Sequence, residues 1–164
     1  FGCAANDLVM STTIDGTHWT PEQRIPIDPI GGGADHFIPG LAVDLSTISG
    51  AAGHLGLAFY YYPQADCVEA TCQLDVGFIS TEDGGVTWNH KIQLAGPMKT
   101  TWLPDTSVKS KDAFMVGDYI STSFSSGDAF PIFAIATAPS GAAECDDPGA
   151  VCHEHMYTVV NGLR

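Results

Sequence analysis

Thr81-Glu82-Asp83-Gly84-Gly85-Val86-Thr87-Trp88 joins two runs with the character of β-strands: Leu74-Asp75-Val76-Gly77-Phe78-Ile79-Ser80 before it and Asn89-His90-Lys91-Ile92-Gln93-Leu94 after it. These residues predict a tight hairpin. Glycine reaches positive φ without steric cost, so Asp-Gly-Gly between two β-like runs is a strong turn signal. The Asp83 carboxylate can accept hydrogen bonds from the loop amides and fold the turn on itself. Trp88, just past the turn, can lay a large apolar plate over it.

A looser copy lies upstream. Leu8-Val9-Met10-Ser11-Thr12 leads into Thr13-Ile14-Asp15-Gly16-Thr17-His18-Trp19, followed by Thr20-Pro21. The interval from aspartate to tryptophan is one residue shorter, and Asp15 and Asp83 stand 68 positions apart. A strand, an Asp-Gly turn and a tryptophan recurring along one chain are the mark of a repeated sheet unit arranged around an axis.

The 164-residue chain is long enough for one ordinary core. Hydrophobic residues make up 45% and charged residues 15%, which excludes disorder as its main character. A net charge of -13 with only six Lys and Arg argues against nucleic acid and against an anionic membrane surface. No apolar run approaches the roughly 20 residues that span a bilayer. With no initiator Met and no signal peptide, the sequence reads as a mature or trimmed fragment.

Cysteines stand at positions 3, 67, 72, 145 and 152. Cys67 with Cys72, and Cys145 with Cys152, could each close a short loop and stabilise it by about 2 kcal/mol. Local pairs with turn-rich interiors point to an oxidising, secreted setting. Zinc is the rival reading, but the Cys-x4-Cys and Cys-x6-Cys spacings suit a zinc ribbon poorly. Cys3 is left over, as a free buried thiol or as partner to a cysteine elsewhere.

No segment shows clean helical periodicity, so the expectation is an all-β chain of about ten strands. Residues 7–27 read as a hairpin and 28–40, rich in Gly and Pro, as a connector. Short strands follow over 41–45 and 55–62, then the hairpin at 73–95. Residues 96–111 form a second connector. The stretch 113–124 reads as one strand, with Phe114, Val116, Asp118, Ile120, Thr122 and Phe124 on a common face. Strands over 129–137 and 153–160 complete the chain.

The spacing Ser/Thr-x-Asp-x-Gly-x-Thr-Trp resembles the Asp-box of sialidase-like β-propellers. Thr81, Asp83, Gly85, Thr87 and Trp88 carry it, and Thr13, Asp15, Gly16 and Trp19 carry the looser copy. The order of segments is similar to bacterial secreted BNR-repeat proteins, in Phe37-Ile38-Pro39-Gly40-Leu41-Ala42-Val43-Asp44, Gly53–Tyr61, Val76–Gly85 and Met115-Val116-Gly117-Asp118-Tyr119-Ile120. The resemblance is to the C-terminal part of such proteins and covers most of the chain. It implies antiparallel four-stranded blades of a six-bladed, extracellular β-propeller. The chain would supply two to three of them: a half blade over 1–27, a complete blade over 37–95 and an incomplete blade over 112–164. The remaining blades would come from the same precursor or from another chain, because an open propeller exposes sheet edges and apolar faces. A compact β-sandwich is the competing expectation.

The chemistry is less legible. The resemblance implies three arginines clamping a substrate carboxylate, a Tyr/Glu nucleophile pair and an Asp acid. Only Arg24 and Arg164 are present, so this chain alone cannot build the clamp. Other glycosidase chemistry needs two carboxylates about 5 to 10 Å apart, with Asp44, Asp75, Asp118 and Glu154 as candidates. Asp118 draws most interest because its apolar face would make it a buried carboxylate, although a structural hydrogen-bond acceptor is the favoured role. Tyr119 beside it reads as a packing residue before a nucleophile.

His153-Glu154-His155 puts two imidazoles on one side of a strand, where a third ligand could complete a metal site; a solvated strand end is favoured. Glu144, Asp146 and Asp147 crowd the second cysteine loop and could bind calcium with help from backbone carbonyls, though solvated carboxylates are the default. Trp102, near Pro104 in a connector, is the better exposed candidate for stacking on a sugar ring. Tyr60, Tyr61 and Tyr62 could stack on sugar rings as well, although they alternate across a strand and at least one must face the core. The expectation is a secreted propeller segment that acts structurally or binds glycan, with calcium the one cofactor the residues could accommodate. The alternatives are a fragment of a sialidase-like glycoside hydrolase and a subunit of an extracellular assembly.

Overall fold

The computed structural model describes residues 5–47, 53–68, 70–105 and 114–164. Its strands are β1 (Val9–Met10), β2 (Gln23–Arg24), β3 (Asp35–Val43), β4 (Leu55–Tyr62), β5 (Gln73–Thr81), β6 (Ile92–Lys99), β7 (Ser121–Ser125), β8 (Asp128–Ser140) and β9 (Val151–Thr158). They form three antiparallel sheets whose spatial order follows the chain: β1-β2, β3-β4-β5-β6 and β7-β8-β9. Among the described residues the helical structure is a single 3₁₀ turn, Thr100–Trp102. The all-β expectation holds, and the sheets do not close into a ring.

The four-stranded sheet is the middle layer. β4 and β5 are buried over almost their whole length, which explains why Leu55-Gly56-Leu57-Ala58-Phe59-Tyr60-Tyr61 has apolar or aromatic side chains on both parities. Leu57, Phe59, Tyr61 and Ile79 pack with Leu8, Ile25 and Ile27 of the first sheet region. Ala58, Tyr60, Leu74, Val76 and Phe78 pack with Val116, Ile120, Ala129, Phe133 and Ala136 on the other side. Each large side chain so buried contributes roughly 1.5–3 kcal/mol.

The first strands of successive sheets approach closely. Thr122 Oγ1 on β7 donates to the Gly40 carbonyl on β3 at 2.8 Å. A Cβ on Gly40 would stand 2.6 Å from the Ile120 carbonyl oxygen, so only glycine fits there. Just before it, the β3–β4 register shifts between Phe37 and Gly40, and Ile38 takes φ of 48°. This bulge lets a Pro-containing stretch run as a strand. The sequence-predicted connector 28–40 is corrected accordingly: β3 begins at Asp35 rather than 41.

A second correction concerns 113–124. Only Ser121–Ser125 pairs as a strand, and Phe114 makes an isolated bridge to Asp105. Gly117, with φ of 109°, breaks the alternation ahead of it. Val116 and Ile120 are buried while Asp118 is exposed, so the predicted buried carboxylate does not exist. Tyr119 is 86% exposed, contrary to its expected packing role. Residue 113 itself lies outside the described residues.

β7 pairs with β8 only as far as Ile132. Beyond that point other groups satisfy the inner edge of β8. The Tyr60 hydroxyl donates to the Ala134 carbonyl at 3.0 Å and accepts from the Ala134 N–H at 2.8 Å. The Ala136 N–H is directed at Met98 Sδ at 3.2 Å. Burial pushes the Tyr60 phenol up to about 12, so it stays protonated and able to donate. Replacing Tyr60 with Phe leaves two buried backbone groups without partners. The expected result is a loss of about 2 kcal/mol, read as a lower urea midpoint with unchanged slope.

Candidate functional site

The strand ends define two functionally different ends of the stack. At one end lie both aspartate turns, between β1 and β2 and between β5 and β6. Asp83 Oδ1 accepts from Thr81 Oγ1 at 2.7 Å and from the Thr87 N–H at 2.8 Å, and Oδ2 accepts from Thr87 Oγ1 at 2.6 Å. Thr81 Oγ1 in turn accepts from the Gly85 N–H at 3.1 Å, which positive φ at Gly84 and Gly85 makes possible. Trp88 Nε1 donates back to the Gly85 carbonyl at 3.1 Å, and its ring packs with Met10 against the core shared with the first sheet.

The shorter upstream turn reproduces this pattern. Asp15 Oδ1 accepts from the Thr17 and His18 N–H groups, both at 2.8 Å, and Thr13 Oγ1 accepts from the Gly16 N–H at 3.0 Å. His18 Nδ1 meets Asp15 Oδ2 at 2.6 Å, in the place taken by the Thr87 hydroxyl downstream. The bond closing the flank is also shared: Thr20 N–H to Thr12 carbonyl here, Asn89 N–H to Ser80 carbonyl there. The two differ in their tryptophans, since Trp19 is 62% exposed.

At the opposite end, near the start of β3 and the end of β4, an open cavity of about 250 Å³ lies between the second and third sheets. Phe37, Tyr62, Phe114 and Asp118 line it, over a floor that includes Leu74 and Leu103. Burial holds the Tyr62 phenol above its ordinary value, with the Asp35 carboxylate adding to the shift. Trp102 is not the exposed plate that the sequence predicts. It sits partly buried in the 3₁₀ turn against the core, with Lys99 Nζ 5.8 Å from its ring. Asp118 and Tyr62 are thus the sequence-predicted candidates that reach this cavity.

The four carboxylate candidates are not brought together. Asp44 lies at the aspartate-turn end, buried, where hydrogen bonds from the Ser46 hydroxyl and N–H hold its carboxyl below the usual range. Asp75 lies toward the other end of the same sheet, opposite Tyr61, and accepts from Gln93 Nε2 at 3.0 Å. Burial raises the Asp75 carboxyl. Glu154 is on β9, opposite Ala136.

The sequence-predicted metal candidates find other partners. His153 and His155 stack with centroids 6.4 Å apart, and His153 Nε2 meets Ser140 Oγ at 3.1 Å. Asp147 accepts the N–H groups of Ala143 and Glu144, which makes it a loop cap. Asp146 makes no metal-like cluster with it among the described residues. Cys67–Cys72 and Cys145–Cys152 are both disulfide-bonded, as the spacing predicts. Cys3 lies outside the described residues.

Sequence reasoning missed one cluster. Asp7, Asp28 and His36, each from a different segment, bring one ligand atom apiece within 4.8 Å of one another. Arg24 holds them: Nε and Nη2 bond both oxygens of Asp7 at 2.6 and 2.8 Å, and Nη2 also bonds Asp28 Oδ1 at 2.8 Å. The guanidinium keeps the Asp7 carboxyl below its ordinary range. The His36 side chain is fully buried between the first and second sheets. No local spacing could announce these residues, because hairpin geometry alone brings positions 7, 24, 28 and 36 together. Arg24, considered in the sequence only as a possible clamp arginine, serves this ion-pair network instead.

No protein-family model, no curated protein and no solved structure matches this chain.

The turn hydrogen bonds carry a pH dependence. The bonds from Thr87 and Thr81 lower the Asp83 carboxyl from 3.8 to about 2. A lowered folded-state value means that this contribution is complete above the unfolded value and is lost as the pH falls through the folded one. Asp83→Asn is therefore expected to lower stability at neutral pH. It should also flatten the acid limb of the stability curve between about pH 4 and 2, measured by urea unfolding at each pH.

Proposed function

We propose that this chain is a segment of a secreted, sialidase-like β-propeller that serves as a non-catalytic structural or glycan-binding element. One observation carries the reading: the same aspartate turn is built twice, at the same end of successive sheets that stack face to face. Repetition of a hydrogen-bonded turn together with its sheet is what a bladed architecture requires. Two disulfides in an all-β chain are compatible with an extracellular setting. Among the described residues no helix is long and apolar enough to cross a membrane.

The outer layers support a larger assembly of blades. Val9, Ile132 and Met156 are exposed on the outer sheets, and Trp19 is exposed beside the turn of the first. Trp88 shows what such a tryptophan does when a neighbouring sheet is present. Further blades, from the same precursor or from another chain, would cover these side chains.

Glycan binding draws support from the cavity at the end away from the aspartate turns. Aromatic walls at Phe37, Tyr62 and Phe114 suit the apolar faces of a sugar ring, and Asp118 offers an acceptor for its hydroxyls. Both arginines are committed elsewhere, Arg24 to Asp7 and Asp28 and Arg164 to Asp128, which leaves no clamp for a sialic acid carboxylate. On a glycan array the chain should bind a restricted set of sugars. Asp118→Ala should weaken that binding at least tenfold, with unchanged stability because Asp118 is exposed. No turnover of a fluorogenic sialoside is expected. An empty array would contradict the glycan-binding role and leave the structural one, and sialoside hydrolysis by the chain alone would contradict a non-catalytic role altogether.

A further inference from the structure

The hydrogen-bond partner of His36 fixes its tautomer. His36 Nδ1 stands 3.3 Å from the Asn6 carbonyl oxygen, which can only accept, so Nδ1 carries the hydrogen. In the neutral ring Nε2 is then a bare lone pair. That nitrogen is buried, makes no hydrogen bond, and faces Asp28 Oδ2 at 3.4 Å. A lone pair opposed to a carboxylate oxygen in a buried site repels it unless a cation stands between them.

We propose that Asp7, Asp28 and His36 form a binding site for a single divalent transition-metal ion, with zinc the best fit. Imidazole nitrogen and carboxylate oxygen are ligands zinc accepts, and bonds of roughly 2.0–2.1 Å at tetrahedral angles place ligand atoms roughly 3.3–3.4 Å apart. The observed Nε2 to Oδ2 distance of 3.4 Å matches that edge. Asp28 Oδ2 is spare, because Arg24 engages Oδ1. Asp7 can turn one oxygen to the ion while keeping the other on Arg24. Arg24 and the Asn6 carbonyl are then the outer groups that orient the carboxylates and the ring. The site also has an approach from solvent: Asp7, Arg24 and Asp28 line a cavity of about 200 Å³ walled by Gly31, Gly32 and Gly33. A fourth position on that side stays open to water.

The net charge makes the ion welcome. Two carboxylates and one guanidinium leave the cluster with one net negative charge, in a chain of net charge -13. The competing occupant is a proton on Nε2, which would make an imidazolium paired with Asp28.

The test is calorimetric titration of the chelator-dialysed full chain with zinc chloride at neutral pH. It is run on wild type and on a Cys3→Ser background, so that the cysteine outside the two disulfides supplies no thiolate. The expected result is one zinc per chain in both, with thermal stability rising on addition. Asp28→Asn should weaken uptake at least tenfold, and His36→Gln should abolish it, while His153→Ala/His155→Ala should bind as wild type. Should His36→Gln fail to fold, Asp28→Asn and the visible spectrum of the cobalt-substituted protein decide, with tetrahedral-type bands expected from wild type alone. Absence of saturable uptake overturns the site in favour of the proton. Unchanged binding by Asp28→Asn, or loss of binding in the His153/His155 variant, overturns it as well.

Discussion

Burial of one sheet on both faces is the constraint on which the molecule depends. Along β4 the side chains alternate between two cores, Leu57, Phe59 and Tyr61 to one side and Ala58 and Tyr60 to the other. A strand with two apolar faces cannot sit at a surface, so it requires a layer on each side. The β1-β2 pair is too short to be stable alone and is held by Leu8, Ile25 and Ile27 against that sheet. The β7-β8-β9 sheet is held in the same way on the opposite face, and the outer layers follow from the middle one.

Stacking sheets in this manner leaves backbone groups at the ends and edges that must find partners. The molecule meets this need with side chains. Tyr60 and Met98 satisfy the part of β8 that β7 does not reach, and the Asp15 and Asp83 carboxylates collect the amides of their turns. At the other end, Arg24 gathers two carboxylates and a buried histidine between the first and second sheets. Lys91 lies 4.0 Å from the centre of the Tyr61 ring close by, its ammonium pKa lowered by burial. Polar end, apolar interior and polar end recur across the layers, so the ends hold what recognition or metal chemistry the fold has.

Much of this was legible in the sequence where chemistry is local. The Asp-Gly turns, the two cysteine pairs and the apolar run of β4 each depend on neighbours within about ten residues. The site was less legible, for two physical reasons. Strand alternation carried through Gly117 puts Asp118 in the core; the chain instead bends at this glycine of positive φ, and the carboxylate emerges at the surface while Val116, Ile120 and Thr122 stay buried on the expected face. The Asp7, Asp28 and His36 cluster is assembled by the pairing of distant strands, so no spacing encodes it. Trp102 illustrates the same limit, because a tryptophan in a connector is exposed or covered according to what folds over it, here the core between the second and third sheets.

Hydrogen exchange on the β4 amides, read residue by residue, tests the account most directly. With a sheet covered on both faces, Leu57 to Tyr61 should be among the slowest amides of the chain, exchanging only through global unfolding, while those of β9 exchange through local opening. Exchange of β4 as fast as β9 would mean that one face of the middle sheet is open to water, and the three-layer arrangement would be wrong.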